Sequence, residues 1–185
     1  MATFDVFLSH VWDQDELKRD THARVGSISN GLKRESLTPW IDSEQMEGNV
    51  AAAMAQGIDS AHVVVFLATK KYMDKVNEGY AGENRNVAKE FEYTFRRKKR
   101  QRIILVILEP YMLKSGNHTG SFGLELGNQM YFNFSNDDDF EKKCKDLASM
   151  IRKRMEEQDG DVEVRRSSQT TDDALAVAFD SSTIP

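Results

Sequence analysis

The residues able to do chemistry fall in a few short stretches. In "VAKEFEY" (87–93), Glu90 and Glu92 stand two apart, a spacing that turns them to different sides of a helix. Glu90 lies near the start of that helix, where the positive end of the helix dipole favours an ionised carboxylate. It can therefore stay charged beside a ligand, although favourable charge placement alone also accounts for it. The stretch "HVWDQDELKRD" (10–20) brings His10, Trp12, Asp13 and Asp15 into one loop, with Trp12 readable as a core anchor or an aromatic platform. "FRRKKRQR" holds six basic residues between Arg96 and Arg102. Cations at a helix C-terminus explain such a run first, and a nuclear-localisation or phosphate-binding patch second.

Other chemistries lack their residues. The glycines of "TGSFGLELGNQ" do not have the dinucleotide-fingerprint spacing, and GxxxxGK[ST] does not occur. The four histidines, His10, His22, His62 and His118, show no metal-ligand spacing, so no metal site is expected. The triplet Asp137–Asp139 lacks the glycine and distal glutamate of a calcium loop and reads as a solvated helix start. A net charge of −5 argues against a general nucleic-acid binder.

Placing these residues requires an α/β domain. "FDVFLS" (4–9), "HVVVFLA" (62–68) and "RIILVIL" (102–108) read as strands buried on both faces, as in a parallel sheet covered by helices. "QMYFNF" (129–134) is a weaker strand, and "LTPWI" (37–41) contains Pro39, which suits a sheet edge. Helical periodicity joins Val25, Ile28 and Leu32; Val50, Met54 and Ile58; Val87, Phe91 and Phe95; and Phe140, Leu147 and Ile151. The alternation implies a flavodoxin-like, five-stranded parallel sheet in the order 2-1-3-4-5, flanked by helices. Its ligand crevice is expected at the carboxyl ends of strands 1 and 3. "TKKYMDKVNEGYAGENRN" (69–86), rich in glycine and asparagine, is expected to be a long functional loop at that crevice.

With 185 residues, 39% of them apolar, the chain fits one domain, expected over 1–155, followed by a polar tail over 156–185 expected to be disordered. No signal-peptide pattern or apolar membrane-length segment is present, and Cys144 stands alone, so a cytoplasmic location is expected.

Taken in order, "DVFLSH", "WIDSEQMEGN", "VVVFLATKKYM" and "AKEFEY" resemble a Toll/interleukin-1 receptor (TIR) domain over roughly residues 4–155. The resemblance implies the flavodoxin-like fold and signal transduction of the innate-immunity kind. Many TIR domains signal by TIR–TIR assembly, which implies self-association or pairing with other TIR domains. The contact loop would then comprise Trp40, Ser43, Glu44, Met46, Glu47 and Asn49. Other members cleave NAD+ at the nicotinamide–ribose bond with a glutamate near the start of the third helix, the position Glu90 matches. The resemblance then sets Ser9, His10, Trp12, Asp42, Gly48 and Tyr72 around NAD+ as substrate. Two departures stand out: Asn86-Val87 replaces the tryptophan–cysteine pair of many catalytic members, and Asn49-Val50 follows Gly48 where some carry an aromatic. Of the two roles, the sequence favours contact. A response-regulator-like phosphoacceptor ranks third, because strand 3 ends in "FLATKK" rather than in an aspartate.

Overall fold

The computed structural model describes residues 4–41, 50–81 and 85–157. Five parallel strands, β1 (Phe4–Ser9), β2 (Pro39–Ile41), β3 (Ala61–Ala68), β4 (Ile103–Ile107) and β5 (Tyr131–Asn133), pair in the order β2-β1-β3-β4-β5. Between and after them lie α1 (Thr21–Arg34), α2 (Val50–Ser60), α3 (Lys70–Glu78), α4 (Arg85–Arg97), α5 (Gly120–Leu126) and α6 (140–157). The expected order and fold class are those observed.

Alternation along the strands builds two cores. On β3, Val63, Val65 and Leu67 point to one face and Val64, Phe66 and Ala68 to the other. The first face is covered by Val25, Ile28 and Leu32 of α1 with Leu147 and Ile151 of α6. The second is covered by Ile58 of α2, Tyr72 and Met73 of α3, Phe91 of α4 and Phe122 of α5. Pro39 does lie on an edge strand. Thr38, just before it, donates its backbone N–H and its hydroxyl to the Asp5 carboxylate at 2.7 and 2.6 Å, fastening β2 to β1.

The segment after β3 corrects the expectation of a long loop. Its first part is helix α3, with Thr69 as N-cap accepting from the Tyr72 N–H at 3.1 Å. Tyr72, Met73 and Val76 form its buried stripe, and Gly79, at φ 62°, closes it. The glycines and asparagines that suggested a loop gather at its far end, where a 3-10 turn (Gly79–Ala81) follows. Helix α5 was not expected, because its two glycines leave only Phe122 and Leu126 as buried anchors. Helix α6 begins three residues later than Asp137 and runs two residues past Met155; the tail from 158 onward lies outside the described residues.

Candidate functional site

Helix α4 turns two faces to its surroundings. Phe91, Thr94 and Phe95 face the sheet, where Phe91 packs on Phe66 with ring centroids 5.1 Å apart and on Phe95 at 4.9 Å. This aromatic stack fixes the rotation of α4. The neighbouring stripe, Asn86, Lys89, Glu90, Tyr93 and Arg96, consequently lines a pocket of about 310 Å³. Met54, Ala55 and Ile58 of α2 form the apolar wall opposite, and Tyr80 stands at one end. A volume near 300 Å³ is at the small end for ligand sites and suits one nucleoside-sized group.

Glu90 is the buried charge of this pocket, only 6% exposed. Behind it, Ser9 at the end of β1 and Tyr72 in the first turn of α3 join hydroxyls at 2.8 Å, both fully enclosed. The Tyr72 phenol is held well above its ordinary pKa by burial and, secondarily, by the Glu90 charge, while the Ser9 bond acts in the opposite sense. Ser9 and Tyr72, far apart in the chain, thus meet at the crevice end of β1 and β3, within reach of the Glu90 charge. Around the rim, Tyr80 donates to Glu92 at 2.5 Å and Tyr93 to Asp59 at 2.8 Å, so the outer carboxylates are already engaged.

His10 and Trp12 do not line this pocket; they stack with His22 of α1. The Trp12 and His22 rings lie 3.5 Å apart between centroids, and His10 Nε2 is 2.8 Å from His22 Nδ1. His10 Nδ1 faces the Leu8 carbonyl at 3.3 Å and must donate to it. Nε2 of a neutral His10 is then the acceptor for His22. Burial foremost depresses the His10 pKa to about 4, against the opposing Leu8 bond, with smaller influences of His22 downward and Asp20 upward. The carboxylates of the same loop serve structure: Asp13 pairs with Lys71 at 2.5 Å and Asp15 with Arg19 at 2.7 Å.

A sequence model described as the TIR domain matches residues 6–148. The chain belongs to the TIR domain family. Among solved structures, it is similar to the TIR domain of the Toll-related receptor TRR-2 from the lower metazoan Hydra magnipapillata. The two are 14% identical, with a TM-score of 0.55 over 81% of this chain and 99% of that one, a likeness of fold. No curated protein matches the sequence. No helix among the described residues is long and apolar enough to cross a membrane.

In this TIR domain, Asp42, Ser43, Glu44, Met46, Glu47, Gly48 and Asn49 lie outside the described residues. Trp40, the first member of the expected contact loop, is half-buried and stacks on Phe7 with centroids 4.7 Å apart and planes 13° from parallel.

Sequence reasoning missed Glu109 and Arg19. The Glu109 carboxylate, 2% exposed, accepts the Glu16 N–H at 2.7 Å and the Lys70 N–H at the start of α3. Arg19 donates to the Leu108 and Ser135 carbonyls, both at 2.8 Å. Together they fasten the loop after β1 to α3 and to the ends of β4 and β5. Their partners lie up to 116 residues away, so no local pattern signals them.

The basic run resolves largely as structure. Arg97 pairs with Asp59 at 2.8 Å, Lys98 donates to the Ala61 carbonyl at 2.6 Å, and Arg100 binds Glu125. Arg102 donates to the His62 carbonyl at 3.2 Å.

Proposed function

We propose that this TIR domain is a signalling module that cleaves NAD+ at the nicotinamide–ribose bond, with Glu90 as the catalytic carboxylate. The observation that carries the reading is a buried carboxylate, the one acidic group among the described residues of a pocket of nucleoside size, walled on one side by apolar residues and on another by Tyr80 and Tyr93. Nicotinamide departs as a neutral group, so the step needs little acid catalysis. What needs stabilising is positive charge on the ribose as the C1′–N bond breaks, as in glycoside hydrolysis. Glu90 would accept hydrogen bonds from the ribose hydroxyls and offset that charge in a water-poor site. Water then adds to C1′, giving ADP-ribose, nicotinamide and one proton. The test is nicotinamide release from NAD+ by concentrated full-length chain, beside a Glu90→Gln control. Absence of release, or equal release from the control, overturns it.

A second, compatible reading is self-association, or pairing with other TIR domains, through the segment from Trp40 to Asn49. The stack of Trp40 on Phe7 supports it, because it pins the point where that segment leaves the edge of the sheet. Replacing Met46 and Glu47 with alanine should lower self-association in light scattering; unchanged association would remove this segment from the contact.

A further inference from the structure

Two cations share the pocket with Glu90. Lys89 and Arg96 both line it, seven residues apart and therefore on one side of α4. While Arg97, Lys98, Arg100 and Arg102 are tied to carboxylates or carbonyls, neither Lys89 nor Arg96 makes a hydrogen bond or ion pair among the described residues. Both are exposed. Arg96 lines the pocket together with Tyr80 and Tyr93. Of the nearby carboxylates, Asp59 is paired with Arg97 and also accepts from Tyr93, while Glu92 accepts from the neutral Tyr80 hydroxyl and keeps its charge at the rim. Among the described lining residues, Lys89 and Arg96 against Glu90 leave one positive charge, in a protein whose net charge is −5. Unpaired local charge of sign opposite to the whole marks a place where an anion is drawn in.

We propose that Lys89 and Arg96 form a phosphate subsite beside Glu90, so that this groove takes phosphorylated ribonucleotides and discriminates against the same ribonucleosides without phosphate. The inference rests on the NAD+ reading for its reaction, but not for its binding. From Glu90 to Arg96 the helix rises about 9 Å. A ribose held at Glu90 therefore has its 5′ substituent within the span covered by the long arginine side chain. The guanidinium offers a planar fork to two phosphate oxygens, and the ammonium adds a mobile point charge from the other end. The apolar wall of Met54, Ala55 and Ile58 is left for the sugar and base.

The experiment is calorimetric titration of the full chain with ADP-ribose and with adenosine, repeated on a Lys89→Gln/Arg96→Gln variant. Both positions are exposed, so the variant is expected to keep its melting temperature. The wild type should bind ADP-ribose at least roughly ten-fold tighter than adenosine, a preference lost in the variant and weakened by high salt. Equal ADP-ribose affinity in wild type and variant, or no ADP-ribose binding at all, overturns the subsite. A parallel assay compares turnover of NAD+ with that of nicotinamide riboside. ADP-ribose binding that depends on the pair, without NAD+ turnover, keeps the subsite and removes the hydrolase reading. NAD+ turnover with an unchanged substrate ratio in the variant keeps the hydrolase reading and removes the subsite.

Discussion

The Ser9 and Tyr72 hydroxyls, 63 residues apart in sequence, meet at 2.8 Å and see no solvent. Each is the other's partner, so losing one strands the other in the interior. Ser9→Ala or Tyr72→Phe alone should each cost about 1–3 kcal/mol in urea denaturation, and the double variant less than their sum. Strictly additive losses would show that the pair does not act as a unit.

Glu90→Gln should lower NAD+ cleavage by roughly 10²–10³-fold, the effect of removing one preorganised electrostatic contact from a transition state. The circular dichroism melt of the variant should stay near that of the wild type, because glutamine keeps the volume of the buried side chain. A loss of activity accompanied by unfolding would assign Glu90 to structure instead.

His10 should make stability depend on pH. Its folded pKa is depressed from 6.5 to about 4, so between these values the unfolded chain binds a proton that the folded chain refuses. The contribution of His10 is complete above pH 6.5 and is lost as pH falls toward 4. One full proton corresponds to a slope of about 1.4 kcal/mol per pH unit. His22 and Asp20 act on His10 with opposite signs and shift the window without reversing it. A His10→Gln variant should show a shallower slope over the same interval in denaturation at fixed pH values.

Gly57→Ala should destabilise the protein, against the usual gain of about 1 kcal/mol for alanine over glycine in a helix. The new Cβ would lie 3.0 and 3.1 Å from the Phe7 ring and 3.2 Å from the Trp40 indole. Phe7 is 1% exposed and cannot yield, so overpacking of roughly 1–3 kcal/mol wins. A lowered melting temperature with shifted tryptophan emission is the expected result; a raised melting temperature would mean that the Phe7–Trp40 stack moves freely.

The sheet was legible because its interior strands are uninterrupted apolar runs, and a run such as 103–107 has no place except between two covered faces. Helix α3 was not, since Lys70, Lys71, Asp74, Lys75 and Asn77 outnumber the three buried residues that hold it down. At the candidate site, Glu90 was singled out by its place in a motif. The pocket around it was not, because its opposite wall comes from α2, some thirty residues earlier, and is brought near only by the crossovers of the sheet. Among the residues expected around the substrate, Ser9 and Tyr72 gather behind Glu90, whereas His10 and Trp12 turn to His22. A histidine in the next helix was the competitor for those two rings, and no short-range spacing announces it.

Both margins of the sheet are very short: β2 and β5 contain three residues each, and β2 begins with a proline that has no N–H to offer. A neighbouring chain would find few backbone groups to extend a ladder upon. Were copies of this domain to associate, they would therefore have to recognise one another chiefly by the shapes and charges of side chains. Such contacts can be weakened one substitution at a time, unlike a shared sheet growing by continuous backbone pairing.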